Sequence, residues 1–172
     1  MEVKDCILTR RSIKKYLSKE VPLDLLHEIE LAGEYAASGK GMQSPIILEI
    51  TNKEVRDNLS KLNASIMGKT DFDPFYNAPA VLVVLYEKKY PTGIYDGSLV
   101  MGNMMLRCHD LGLASCWIHR AKEEFESEYG KMLLKSLGLH GEYEGVGNLI
   151  VGYPDMEAIC KKRKENYVYK IN

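Results

Sequence analysis

Apolar and polar positions follow two different periods along this chain, and each change of period marks an element. Residues 3–9 read as a short opening helix. Pro22 suits the first turn of a second helix, in which Leu25, Leu26, Ile29 and Ala32 recur on one face. That pattern stops near Ala37, where Ser38-Gly39-Lys40-Gly41 breaks it. Residues 46–50 form a short strand, and residues 53–67 return to helix with Val55, Leu59, Leu62 and Ile66 on one side. The run from Ala80 to Tyr86 is apolar without alternation, which predicts a strand buried on both faces at the centre of a helix-covered sheet. Residues 98–111 are helical and apolar nearly all round; in a chain this short, such a helix calls for a partner subunit. Gly102 within it costs about 1 kcal/mol relative to alanine, tolerable where another backbone comes close. A strand over 115–119, an amphipathic helix over 123–137 ended by Gly138, and a last strand over 147–153 complete the order. Beyond Pro154 the chain is polar and basic, and Tyr167-Val168-Tyr169 alternates weakly.

The 172 residues suffice for one core that buries about 70% of the unfolded surface, so neither metal nor disulfide is needed to fold. No repeat or Gly/Ser linker divides the chain, and one domain over residues 1–172 is expected. Lysine and arginine number 23 against 24 acidic residues, leaving a net charge of −1, which excludes a nucleic-acid protein with a dominant basic field. The longest apolar runs fall short of the about 18 residues that span a bilayer, so no membrane partner is expected. Cys6, Cys108, Cys116 and Cys160 show no metal or redox spacing and no signal-peptide pattern precedes them, which predicts a reduced, cytoplasmic protein with most of its cysteines as core filler. The four histidines, His27, His109, His119 and His140, show no metal spacing either.

Candidate chemistry sits in two basic segments, Arg10-Arg11-Ser12-Ile13-Lys14-Lys15-Tyr16 and Lys161-Lys162-Arg163-Lys164. Guanidinium donors beside a hydroxyl can occupy several oxygens of a phosphate ester at once, and the balanced net charge makes these clusters local, sized for one small anion. No G-x-G-x-x-G follows a strand and Gly39-Lys40-Gly41 lacks P-loop spacing, which argues against a Rossmann or P-loop reading.

Taken in order, the segments resemble the nitroreductase family of FMN-dependent oxidoreductases. Arg10-Arg11-Ser12-Ile13-Lys14-Lys15-Tyr16 is similar to the family's opening R-R-S-x-R/K-x-F/Y, and Ala36-Ala37-Ser38-Gly39-Lys40-Gly41-Met42-Gln43-Ser44-Pro45 to its A-P-S-A-x-N-x-Q-P-W. Tyr76-Asn77-Ala78-Pro79, Asp96, Asn103, the strand Gly112-Leu113-Ala114-Ser115-Cys116-Trp117-Ile118, and Gly152-Tyr153-Pro154-Asp155 extend the likeness over almost the whole chain. The resemblance implies an α+β fold, a central mixed or antiparallel β-sheet wrapped by helices, in an intertwined homodimer with FMN at the interface. Residues 156–172 would then be a C-terminal extension contacting the partner subunit.

By the same resemblance Arg10, Arg11 and Ser12 hold the FMN phosphate, joined from the tail by Lys162 and Arg163 with Lys164. Lys14 lies at the N1 and O2 edge of the flavin, where a fixed ammonium raises the reduction potential. Ser38 and Gln43 bond the ring or ribityl chain, and Trp117 and Ile118 lie beside the ring with His119. Gly41 replaces the family's asparagine and Ser44-Pro45 its Pro-Trp, so this loop is expected to leave a more open pocket. The implied reaction passes two electrons from NADH or NADPH through the flavin to a nitroaromatic, quinone or similar small acceptor, in ping-pong order, with no catalytic acid or base from the protein. The alternative is an FMN storage or sensor protein with little turnover. Related dehalogenases and dehydrogenases carry longer lids than the stretch between Lys53 and Asn77 provides.

Overall fold

The computed structural model describes all residues, Met1–Asn172. Its centre is a four-stranded antiparallel sheet in the order β1-β2-β4-β3, built from β1 (Pro45–Ile50), β2 (Ala80–Glu87), β3 (Ala114–Ile118) and β4 (Tyr143–Gly152). The helices are α1 (Val3–Thr9), α2 (Leu23–Glu34), α3 (Lys53–Ile66), α4 (Gly93–Asp110), α5 (Ala121–Glu126) and α6 (Glu128–Ser136). The fold is α+β, as expected. Residues 12 and 16 add isolated bridges, Ser12 parallel to Ser115 and Tyr16 antiparallel to Pro154, so the N-terminal strap continues the sheet past β3.

β2 shows why its run of apolar residues does not alternate. Val81, Val83 and Leu85 face a core shared with Leu59 of α3 and Phe125 of α5, while Ala80, Leu82 and Val84 face a second core with Leu26 of α2 and Met101 and Met104 of α4. Both faces of the strand are covered, and only a strand apolar on both sides satisfies both.

Local chemistry sets the helix limits. Asn52 Oδ1 accepts from Val55 N at 3.1 Å and caps α3. The helix expected over 123–137 is two helices, because Ser127 at φ −71°, ψ 164° leaves the helical region and its hydroxyl accepts from Gly130 N at 3.1 Å to start α6 anew. α4 begins at Gly93, five residues before the apolar pattern does, since Gly93 and Gly97 let its first turns lie against Tyr86 and Val146. A Cβ at Gly97 would stand 2.5 Å from Val146 Cγ2. By contrast nothing in the chain lies within 4 Å of a Cβ built at Gly102. That side of α4 is open: Tyr95 is 70% exposed and Leu99 50%. After Pro154 no element forms, and the tail runs exposed to Asn172 with Ile159, Tyr167, Val168 and Tyr169 bare. No helix is long and apolar enough to cross a membrane.

Candidate functional site

The strap 10–17 is fixed by its backbone. Ile13 N donates to Ser115 O at 3.2 Å, Leu17 N to Tyr153 O at 3.0 Å, and Asp155 N to Lys15 O at 3.0 Å. The apolar residues Ile13 and Tyr16 point into the core, and the Tyr16 hydroxyl donates to Ile13 O at 2.6 Å. Ser12 and Lys14 are thereby left exposed, and Arg10 and Arg11 half-buried, along the edge of β3. Their charges converge there: burial raises the Cys116 thiol above its ordinary range, opposed by the Ser12 hydroxyl and by Lys14 and Arg10. Burial likewise lowers His109, helped by Arg10 and Arg11.

Two donors in this cluster have nothing to donate to. Arg10 Nη1 and Arg11 Nε are shielded from solvent without a hydrogen-bond partner. A shielded unpaired donor costs about 1–3 kcal/mol, and an anion carrying several acceptor oxygens recovers that cost. Arg11 uses its other nitrogens within the chain: Nη1 donates to Leu8 O at 2.8 Å and Arg10 O at 2.7 Å, and Nη2 to Cys160 Sγ at 2.8 Å. The last contact involves the one cysteine that is not core filler. Cys6, Cys108 and Cys116 are buried, whereas Cys160 is exposed and the Arg11 guanidinium holds its thiol below the ordinary value. It also brings the basic tail to the strap. Arg163 lies close enough to depress the same thiol, while Lys162 pairs with Glu165 at 2.7 Å.

Ser38 and Gln43 stand elsewhere. Gln43 N donates to Ser38 Oγ at 3.1 Å across a tight loop in which Lys40 and Gln43 take left-handed φ values of 55° and 48°. Buried Asp96 of α4 organises this loop by accepting from Gly39 N at 2.9 Å and from the hydroxyls of Thr92 at 2.9 Å and Ser44 at 3.5 Å. The sequence offered Asp96 as part of the family likeness; its anchoring role became visible only with the fold. Ser38 and Gln43 line a cavity of about 790 Å³ with Glu30, Glu34 and Asp96, and burial together with Glu49 pushes the Glu30 carboxyl up to about 7. Lys14 lines a separate cavity of about 1060 Å³ with Tyr76, Asn77 and Arg56. One protomer therefore does not bring Ser38 and Gln43 to the strap.

Trp117 and Ile118 belong to β3 and alternate between the two cores, Trp117 packing against Gly147 and Ile118 beneath α5. Their side chains fill the interior, leaving His119 exposed at the strand's end, where its carbonyl accepts from Asn63 Nδ2 at 2.8 Å.

The sequence signature of the Nitroreductase family matches residues 7–153, which include the strap, the Ser38–Gln43 loop, all four strands and Tyr153. The chain belongs to the nitroreductase family. Its similarity to solved nitroreductases covers whole chains. A nitroreductase from Bacteroides fragilis with bound FMN is 26% identical and superposes with a TM-score of 0.88 over 100% of both chains. An FMN-dependent nitroreductase from Clostridium difficile is 27% identical, with a TM-score of 0.80 over 98% of this chain and 99% of that one. A protein from Methanothermobacter thermautotrophicus, assigned provisionally as an NADH dehydrogenase/NAD(P)H nitroreductase, is 29% identical over 122 residues, 68% of this chain. The match spans 60% of the length of that curated relative. In a nitroreductase of this family, the unpaired Arg10 and Arg11 nitrogens beside Ser12 fit the phosphate of FMN.

Proposed function

We propose that this nitroreductase is an FMN-dependent oxidoreductase that works as a homodimer on a small nitroaromatic, quinone or similar acceptor in the cytoplasm. The observation that carries the reading is the pair of shielded, partnerless guanidinium nitrogens of Arg10 and Arg11 beside the Ser12 hydroxyl. When bound, FMN would take hydride from NADH or NADPH and then deliver two electrons to the acceptor, in ping-pong order. The protein's part is holding and charge. Arg10, Arg11 and Ser12 grip the phosphate, and Arg163 and Lys162 close on it from the tail that Arg11 already meets through Cys160. Lys14 holds an ammonium at the pyrimidine edge, where it stabilises the negative charge that two-electron reduction leaves. Trp117, Ile118 and the His119 carbonyl region stiffen the wall beside the ring. Ser38 and Gln43 complete the site from the partner subunit; their separation from Lys14 within one protomer supports a two-chain site. The open face of α4 and the bare apolar residues of 156–172 supply the surfaces for that partner.

The test is the visible spectrum of the purified protein with FMN, followed without oxygen as NADH or NADPH is added. Bleaching of an oxidised-flavin band, reversed by a nitroaromatic or quinone, is the expected result. A bound flavin that neither nicotinamide bleaches would replace this reading with storage or sensing.

A further inference from the structure

Beside Lys14 stands an aromatic ring whose backbone is held against its own preference. Tyr76 and Asn77 take φ values of 51° and 56°, a left-handed region that a bulky aromatic residue seldom enters. Two such residues in succession persist only where their surroundings over-determine them, and strain of this kind gathers at functional positions. Asp73 is what determines them here. Its carboxylate accepts from Phe75 N at 2.8 Å, Asn77 N at 2.6 Å, Arg56 Nη2 at 2.6 Å and the Ser60 hydroxyl. Arg56, only 8% exposed, also donates through Nε to Ala78 O at 3.2 Å, so both ends of the turn are tied to α3.

The effect of this clamp is to aim one ring. Tyr76 stands edge-to-face with Phe72, centroids 5.6 Å apart and planes at 86°, and it presents its own face to Lys14 Nζ at 5.3 Å from the centroid. Lys14 makes no ion pair within 4.0 Å, unlike its neighbour Lys15, which is bound to Asp155 at 2.8 Å. A free surface lysine wanders among many rotamers, whereas an ammonium over a ring within about 6 Å is attracted to one place. Lys14 and Tyr76 line the same cavity.

We propose that Tyr76 is a positioning residue whose ring holds the Lys14 ammonium at the flavin's pyrimidine edge and so helps set the reduction potential. This deepens the functional reading above and rests on its assignment of Lys14. Three variants of the FMN-loaded dimer separate the two ideas: Lys14→Ala, Tyr76→Leu and Tyr76→Phe, with the flavin midpoint potential as readout. Lys14→Ala is expected to lower the potential, Tyr76→Leu to reproduce most of that shift, and Tyr76→Phe, which keeps the ring, to leave it unchanged. In the Lys14→Ala background Tyr76→Leu is expected to add nothing. A potential that moves in Lys14→Ala but not in Tyr76→Leu overturns the role of Tyr76 alone. If Lys14→Ala itself leaves the potential in place, the assignment of Lys14 fails and the proposal falls with it.

The contact is also read without changing Tyr76. In the full chain carrying 13C-methylated lysines and no added FMN, the Lys14 signal, identified by its loss in Lys14→Arg, should be displaced upfield by the tyrosine ring current. An undisplaced signal would sink the contact even if Tyr76→Leu does not fold.

Discussion

At the scale of single residues, two groups have consequences that a solution experiment reads directly. The first is the Arg10 and Ser12 pair on the strap. Losing one charge-assisted hydrogen bond costs about 1.5–3 kcal/mol, so Arg10→Ala combined with Ser12→Ala should raise the dissociation constant for FMN by at least about tenfold. Fluorescence titration of the flavin measures this, and unchanged retention would remove the strap from the phosphate. The second is Glu124, which is fully buried and accepts from Asn63 Nδ2 at 2.5 Å and Asn148 Nδ2 at 2.8 Å. Burial pushes its carboxyl from 4.5 up to about 7, against the pull of the two amides and of Arg120 and in concert with Glu123. Between those values the folded chain keeps a proton that the unfolded chain has lost. The stability this group contributes is thus complete below about 4.5 and is lost as pH rises through about 7, at up to about 1.4 kcal/mol per pH unit. Glu30 titrates in the same direction and window, so Glu124→Gln should flatten part of the slope. Urea denaturation across the two values decides it, and an unaltered slope would clear Glu124 of the effect.

At the scale of elements, the sequence exposed what depends on periodicity and hid what depends on contact. The double-sided apolar run of β2 and the single apolar stripe of α3 have no second interpretation, and both elements lie where their patterns place them. The break at Ser127 is different: the amphipathic pattern runs through it unbroken, and only a cap and a close crossing reveal it. A Cβ at Gly130 would stand 2.3 Å from Glu124 O and 2.5 Å from Phe125 Cα, backbone atoms with no freedom to retreat. Gly130→Ala should therefore destabilise the fold by about 1–3 kcal/mol despite alanine's better helix propensity, visible as a lowered midpoint in chemical denaturation. No loss would mean that α5 and α6 can part freely. The candidate site divides the same way. Arg10, Arg11, Ser12 and Lys14 were legible because they are contiguous on one strap, whereas the Asp96 anchor of the Ser38–Gln43 loop joins residues 57 positions apart. Tyr76 was legible only as part of a motif, since a left-handed backbone angle leaves no mark on composition.

At the scale of the whole molecule, the unfinished surface is the open side of α4. Burying one leucine is worth about 1.5–3 kcal/mol, and a carboxylate in its place adds a desolvation cost on each side of a twofold contact. Leu99→Glu is accordingly expected to give a folded monomer that no longer retains FMN, as sedimentation velocity and the flavin band would show. A persistent dimer would place the interface elsewhere. The strand order β1-β2-β4-β3 carries a further consequence, for the birth of the chain. β4 is the last strand to be synthesised, yet it pairs with both β2 and β3 and occupies an inner place in the sheet. On the ribosome, β1 and β2 can meet early, but the inner edge of β2 has no partner until residues 143–152 have emerged. Chains grow at about 5–20 residues per second, so that apolar edge waits for several seconds while α3, α4 and β3 have only part of a core to cover. The sheet is therefore closed only by the last of its four strands, and the nascent chain depends on protection from aggregation until residues 143–152 arrive.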